Sequence, residues 1–304
     1  MPVWLLIVRH RPHPGSFFIT GCQQIPCPAG PAWAILPSTP GGPGAGGPGP
    51  AQGLRDMEKH PLVLTSPDVR IAGDMHFRDA NLPGEARRRE RFIAFMDELP
   101  SAAALFLIGD VFDFYFEYRS VVPRRFLELY QAIARATRRG IPVHFIGGNH
   151  DYWVGNFFTR DLGVVVHERD IFLEAQGRRI VLAHGDLVMP RDYGYKILKS
   201  VIRNRAVVEA SRWIHPDLMD AIAGGVSHGS RRYFTVPQEK RARAVAEHAW
   251  NRFFGRGNDA FVMGHVHFPL HETRDGREFV IVGDWVEHYT YARLTSGRLR
   301  LETL

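Results

Sequence analysis

Five short apolar runs in the chain each give way to polar groups at their C-terminal ends. Val69-Arg70-Ile71-Ala72 leads into Gly73-Asp74-Met75-His76, and Leu105-Phe106-Leu107-Ile108 into Gly109-Asp110-Val111-Phe112-Asp113. Val143-His144-Phe145-Ile146 precedes Gly147-Gly148-Asn149-His150-Asp151. Ile180-Val181-Leu182-Ala183 precedes His184-Gly185-Asp186, and Phe261-Val262-Met263 precedes Gly264-His265-Val266-His267. A near-continuous apolar run of this length predicts a buried strand, and polar residues at its C-terminal end point into a common crevice. A different period governs the stretch between the last two runs. Tyr195, Leu198, Val201 and Ile202 recur at three and four, which predicts a helix within 192–224. Pro216 begins a second helix, with Leu218, Met219 and Ile222 on one side, broken by Gly224-Gly225. A third runs from Pro237 to Phe254, with Ala242, Val245, Ala246, Ala249 and Phe253 apolar.

The strand ends deliver Asp74, His76, Asp110, Asn149, His184, His265 and His267 to one place, which predicts a two-metal hydrolytic site. Two divalent ions roughly 3.5–4 Å apart clamp a phosphoryl group and make a nucleophilic hydroxide at neutral pH. Such a pair needs a bridging carboxylate, since that group presents two oxygens and a charge to both ions; Asp110, on the central motif, is the natural bridge. Asp74 and His76 are two apart, and a turn just past the strand can aim both at one ion. His265 and His267 share that spacing, but there the turn is expected to split them between the ions. Asn149 offers a neutral oxygen and His184 another imidazole. Nitrogen and oxygen donors without thiolate favour Mn, Fe, Zn or Ni, and the imidazoles argue against Mg alone. His150, beside a ligand, can donate a proton or hydrogen bond to the phosphoryl oxygen or the leaving group. Asp151 is expected to orient that imidazole. Singly, each motif is weak: a Gly-Asn-His-Asp is usually a turn. Five together, each behind a strand-like run, are specific.

The ordered set Gly-Asp-x-His, Gly-Asp-x-x-Asp, Gly-Asn-His-Asp, His-Gly-Asp and Gly-His-x-His resembles the calcineurin-like metallophosphoesterase family, from about Val69 to Trp285. The resemblance implies an α/β fold: a two-sheet αββα sandwich with the site at one end of the sheets. It implies one metal held by Asp74, His76, Asp110 and His267, and a second by Asp110, Asn149, His184 and His265. His150 matches the family's catalytic histidine.

Hydrophobic content of 45% is ordinary for a globular protein, and 304 residues suffice for one large core with a small cap. Both cysteines, Cys22 and Cys27, lie near the N-terminus, so the core carries no disulfide, which suggests a reducing compartment. No apolar stretch reaches the roughly 18 residues of a membrane span. The expected location is the cytoplasm, with peripheral attachment to the inner membrane. Residues 1–56 carry Pro-Gly-rich runs (Thr39 to Gly53) without a hydrophobic period. They read either as a disordered tail or as translated sequence upstream of the true start, with Met57 the favoured start. Residues 57–304 then form the metallophosphoesterase domain, with a helical insertion at about 190–255.

Charge sharpens the picture of that insertion. From Arg191 to Val245 there are 11 Lys or Arg against 5 Asp or Glu, a balance of +6, which equals the net charge of the whole chain. A cap both basic and apolar suits a substrate that carries phosphate and acyl chains, and an anionic membrane surface. The alternative is that these helices pack on the core and their charges are simply solvated. A narrower resemblance runs through His184-Gly185-Asp186 with Asp192, Tyr195 and Lys199, Ile202-Arg203-Asn204, Gly109 to Tyr115, and Val282-Gly283-Asp284-Trp285. These look like UDP-2,3-diacylglucosamine pyrophosphatases, peripheral membrane hydrolases that release UMP and 2,3-diacylglucosamine 1-phosphate in lipid A synthesis, usually with manganese. The resemblance implies two divalent cations, most naturally Mn, with Fe or Zn compatible with the donors. It places a substrate-binding acid at Asp192 and aligns lid residues loosely with Ser227, Ser230 and Arg231 or Arg232. Asn149, His150 and His265 would also face the substrate. Those enzymes commonly carry Arg after the Asn of the third motif, where this chain has His150, the general phosphoesterase pattern. A phosphatase or phosphodiesterase acting on a soluble ester is therefore the second reading. A nucleic-acid substrate is disfavoured, because the basic residues sit on helices with apolar faces and not among exposed aromatics. A non-catalytic scaffold is disfavoured because all seven ligand positions are filled.

Overall fold

In the computed structural model, which describes residues 61–186, 188, 201, 203–222, 237–254 and 257–304, each apolar run forms a strand. All of these residues belong to the unit Pro48–Leu304. The expectations for residues 1–56 and for Asp192, Ser227, Ser230, Arg231 and Arg232 lie outside the described residues.

Twelve strands make two six-stranded sheets. In chain order they are β1 (Leu62–Leu64), β2 (Asp68–Ala72), β3 (Ala103–Leu107), β4 (Val143–Ile146), β5 (Val165–His167) and β6 (Ile171–Ala175). There follow β7 (Arg178–Ala183), β8 (Ala260–Met263), β9 (Leu270–Arg274), β10 (Arg277–Ile281), β11 (Thr290–Thr295) and β12 (Arg298–Thr303). One sheet has the order β12-β11-β2-β3-β4-β5, with β2 to β5 parallel; the other has β1-β6-β7-β8-β10-β9, with β7, β8 and β10 parallel. Helices α1 (Glu85–Asp97) and α2 (Leu127–Arg138) lie in the connections from β2 to β3 and from β3 to β4.

The period-two alternation of a strand sorts the core into three layers. Val69 and Ile71 of β2, Phe106 and Ile108 at the end of β3, Ile180 and Leu182 of β7, and Val262 of β8 meet between the sheets. The intervening Ala72, Leu105 and Leu107 face α1 and α2, packing with Phe92, Phe95, Leu129 and Ile133 and the fully buried Trp285. On the far side, Val181, Ala183, Phe261 and Met263 pack on α5 (Gln238–Phe253) through its Ala242, Val245, Ala246 and Ala249. The order is helix, sheet, sheet, helix, as expected. The i, i+3, i+4, i+7 apolar stripe of α5 is thus spent on the sandwich, its alanines allowing close approach to the sheet. Of the two readings of the insertion at about 190–255, packing on the core is the one its last helix takes, as the fourth layer.

The described part of the insertion is α3 (Arg205–Ser211) and α4 (216–222). Asn204 caps α3, its side chain accepting the Ala206 N–H at 2.9 Å. Leu218 and Ile222 of α4 are half exposed, while the partly buried Met219 lines a cavity. Trp213, between the helices, is 87% exposed. Arg119–Glu209 (3.0 Å) and the Arg125–Asp220 pair tie the insertion to the segment after β3.

Candidate metal centre

The parallel strands of both sheets end at the same edge, and the chain turns sharply as it leaves them. Asp74, His76, Asp110, His265 and His267 all have positive φ, between 47° and 72°. Non-glycine residues seldom adopt this left-handed region, and a cluster of them marks backbone held for a purpose. Pairing continues past the strands and fixes the turns: Asp74 N–H donates to Gly109 O (3.0 Å), His76 N–H to Asp110 O (2.9 Å) and Phe77 N–H to Val111 O (2.9 Å).

Two groups of donor atoms result. Asp74, His76 and His267 form one, and Asp110, His184 and His265 the other, with His76, Asp110 and His150 a third set between them, every ligand atom within 4.8 Å of the rest of its group. The turn does split the two histidines of the last motif. His76 Nε2 lies 2.9 Å from His267 Nε2 and 3.7 Å from Asp110 Oδ2; His184 Nε2 lies 3.4 Å from that same Asp110 oxygen and 3.1 Å from Asn149 Oδ1. Asp110 therefore touches both groups, and all seven expected ligands come together. Each group draws on both sheets.

The donors fit divalent cations. Asp74 Oδ2 accepts the His265 N–H at 2.7 Å, but Oδ1 is buried with no hydrogen-bond partner, 3.5 Å from His267 Nε2. A buried carboxylate oxygen left unpaired is costly, and a cation among these atoms removes the cost. His184 Nδ1 donates to Ile108 O at 3.0 Å, which reserves Nε2 as a ligand atom. Burial, aided by the neighbouring His184 and His76 respectively, pushes His265 and His267 down to about 3, so both present neutral imidazoles. Burial raises Asp74 well above the carboxylate range. Burial would also lower His184, but Asp110 overrides it and pushes the imidazole up to about 10; burial would raise Asp110, but His184 above all holds it well below its usual range.

The motif glycines make room. Gly109 has φ +93°, and a Cβ there would stand 2.6 Å from His184 Nδ1 and 2.7 Å from Gly148 Cα. At Gly148 a Cβ would fall 2.5 Å from Asp110 N and nearer still to Asp110 Oδ1.

His150 lies beside the centre, one of its ring nitrogens within 4.8 Å of ligand atoms of His76 and Asp110. Its Nδ1 hydrogen-bonds Asp113 O at 2.6 Å, and its backbone N–H donates to Asp110 Oδ1 at 2.9 Å. The orienting partner is therefore the Asp113 carbonyl, a correction to the expectation for Asp151. Asp151 is fully buried and braces the backbone. Its Oδ1 accepts the N–H groups of Asp110 (3.1 Å) and Gly148 (2.9 Å), and its Oδ2 those of Val111 (2.7 Å) and Phe112 (3.3 Å). Burial, with Asp110 close by, raises its carboxyl to about 6.

Sequence reasoning missed several supporting residues. The Asp113 carboxylate faces His76 Nδ1 at 3.4 Å. Glu117, buried, accepts the N–H groups of Gly155 (2.8 Å) and Phe157 (3.0 Å), holding the loop that follows His150. Asp284 Oδ2 pairs with His288 Nδ1 at 2.7 Å, and the Trp285 N–H donates to Asp74 O at 3.2 Å. Asp113 and Asp284 stand inside motifs already singled out, so position was the available signal; Glu117 carried none.

A buried two-group donor centre at the strand ends of an αββα sandwich defines a metallophosphoesterase. The sequence profile of the calcineurin-like phosphoesterase family matches residues 68–269, and the chain belongs to that family. Among curated relatives, UDP-2,3-diacylglucosamine hydrolase of Porphyromonas gingivalis is 28% identical over 261 residues, covering 78% of this chain and 97% of the relative. The enzyme of the same name from Stenotrophomonas maltophilia is 27% identical over 240 residues, covering 73% and 94%. Among solved structures, an archaeal phosphodiesterase aligns with a TM-score of 0.39 at 13% identity, over 78% of this chain and 99% of that one. No helix among the described residues is long and apolar enough to cross a membrane.

Proposed function

We propose that this protein is a dinuclear-metal hydrolase that splits the pyrophosphate of UDP-2,3-diacylglucosamine into UMP and 2,3-diacylglucosamine 1-phosphate. The observation that carries the reading is Asp110, whose Oδ2 lies within 3.7 Å of imidazole nitrogens from both donor groups. The family and the names of the relatives supply the substrate class. Asp74, His76, Asp110 and His267 would hold one cation and Asp110, Asn149, His184 and His265 the other, with manganese the expected metal. Bound there, the pair would activate water and neutralise phosphoryl oxygens. The chain's own groups do the rest. His150, its Nδ1 engaged by Asp113 O, would offer Nε2 to the phosphoryl group and stabilise the charge that builds there by hydrogen bonding. Asp151 holds Asp110 in register through the backbone.

A cavity of about 500 Å³, within the range of small-molecule sites, lies between the segment after β3 and α4. Phe114, Phe116, Val121, Val122 and Met219 give it apolar walls, and Phe114 follows the Asp113 that steadies His150. These walls favour an acylated substrate; Arg124 also lines the cavity, as do Asp79, Asp217 and the Arg125–Asp220 pair. The half-exposed Leu218 and Ile222 and the exposed Trp213 suit peripheral contact with a membrane. The test is hydrolysis of UDP-2,3-diacylglucosamine beside bis(p-nitrophenyl) phosphate, with manganese and with chelator. Manganese-dependent release of UMP is expected, with a gain from acyl chains. Turnover of the soluble ester alone, indifferent to acylation, would establish the phosphodiesterase reading instead.

A further inference from the structure

Arg203, at the start of the described insertion, combines an aromatic stack, of the kind Arg91 makes on Tyr289, with a place beside the donor centre. Its guanidinium carbon sits 3.9 Å from the centre of the Tyr152 ring. Its Nη2 donates to Gly148 O at 3.3 Å and stands 3.9 Å from Asp186 Oδ2, beyond hydrogen-bonding distance. Structural arginines here look different: Arg293 grips Asp68 with bonds of 2.9 and 2.9 Å, and Arg135 grips Asp97 with 3.0 and 3.0 Å. Among the described residues Arg203 makes only the one long hydrogen bond, although a guanidinium carries five N–H donors. Stacking on an aromatic face fixes its plane without using those donors.

The place matters as much as the geometry. Gly148 precedes Asn149, Tyr152 follows two residues after His150, and Asp186 follows two residues after His184. The guanidinium therefore stands against the loops that carry Asn149, His184 and His150. Near it stands the buried carboxylate of Asp186, 3.9 Å away. Two cations would serve the phosphorus under attack. A diphosphate brings a second phosphate, whose charge a guanidinium fixed against these loops would meet.

We propose that Arg203 binds the leaving phosphate of a diphosphate substrate, so that the chain discriminates a pyrophosphate from a simple phosphodiester. The inference rests on the diphosphate reading of function given above. In that reaction water's oxygen bonds to the uridylyl phosphorus and the bond to the bridging oxygen breaks. That oxygen leaves with the electron pair on the sugar phosphate, and water's protons pass to the two phosphate monoesters and solvent. Arg203 faces the charge gathering on the leaving side, where a forked guanidinium matches phosphate oxygens.

The test compares Arg203→Gln and Arg203→Lys with the wild type on UDP-2,3-diacylglucosamine and on bis(p-nitrophenyl) phosphate, which has no second phosphate. A separate readout is displacement by methylenediphosphonate against inorganic phosphate. Arg203→Gln should lower kcat/KM on the diphosphate at least about tenfold more than on the diester, the size of a lost charge-assisted hydrogen bond. It should also weaken methylenediphosphonate about tenfold relative to phosphate, and Arg203→Lys should restore part of both. Equal losses on the two substrates would reduce Arg203 to a rivet between insertion and core, and unchanged selectivity would overturn the proposal outright. If Arg203→Gln fails to fold, Arg203→Lys reads the same two ratios, since it keeps the charge and loses the fork. Should the wild type leave UDP-2,3-diacylglucosamine intact, the function reading fails alone, and the phosphonate comparison still decides Arg203.

Discussion

Gly148→Ala is the most exacting single-atom test of the centre, because it adds one methyl group against the bridging carboxylate. The new Cβ would lie 2.5 Å from Asp110 N and 2.8 Å from Asp110 Cγ, where ordinary contact begins at 3.4 Å. Asp110 must retreat by roughly 0.9 Å at its nitrogen to restore that contact, and its Oδ1, nearer still, by more. Its backbone cannot follow freely, because the Asp110 N–H is held by Asp151 at 3.1 Å. Overpacking of this kind costs on the order of 1–3 kcal/mol in stability. The functional cost is larger, since a displacement near 1 Å at a reacting centre lowers rate by about 10²-fold. Gly84→Ala is the control: Gly84 also has positive φ (+80°), but nothing lies within 4 Å of its added Cβ. That variant should lose about 1 kcal/mol to backbone strain, with turnover unchanged. Urea denaturation gives the stabilities, isothermal titration with Mn²⁺ the metal affinity and stoichiometry, and steady-state kinetics the rate. A Gly148→Ala protein that binds two Mn²⁺ normally and turns over within threefold of wild type would refute the argued crowding of Asp110.

Three further outcomes follow from the same geometry. His150→Ala should lower kcat by about 10²–10³-fold while metal titrations change little, because its ring is held by Asp113 O and it is no expected ligand; a matching loss of metal affinity would make it a ligand instead. Asp151→Asn replaces a two-oxygen acceptor of four backbone N–H groups with an amide that has one acceptor, and should cost about 3 kcal/mol in urea denaturation together with weaker Mn²⁺ binding; an unchanged midpoint would show that the brace is dispensable. Burial pushes His144 down to about 3 and His167 down to about 4, the pair sharing a 3.0 Å contact between β4 and β5. The unfolded chain protonates near 6.5, so it binds more protons below that pH, and stability falls from about pH 6.5 toward about pH 4. The His144→Phe, His167→Leu double variant removes this component: relative to wild type its stability should rise by about 2 kcal/mol between pH 7 and pH 5.5. Parallel pH curves for the two proteins would contradict a buried neutral pair.

The strands and ligands were legible because each strand run is apolar on both faces and stops at a polar residue. Ile71 and Ala72, or Phe261 and Val262, serve different layers, yet both layers are dry, so the run reads as unbroken. The separation of His265 from His267 is not encoded in their spacing, which Asp74 and His76 share while falling in one group. Other features depend on what lies opposite, which periodicity does not encode. The stripe on α5 announced a buried face but not its partner, so cap and core packing both stood open, and the helix proved to be a sandwich layer. Asp151 adjoins His150 in sequence, yet its carboxylate turns to the backbone of Asp110 through Phe112, a contact spanning some 40 residues of chain. Tyr152 became informative only with Arg203 stacked on it.

Each cation position takes side chains from both halves of the sandwich: Asp74 and His76 from one sheet meet His267 from the other, and Asp110 meets His184 and His265. The ions would then act as staples across the seam where the two sheets end. Any slip of one sheet past the other would alter the gap between the ions, so packing changes deep in the interlayer, at Ile71, Phe106 or Val262, become catalytic lesions without touching a ligand.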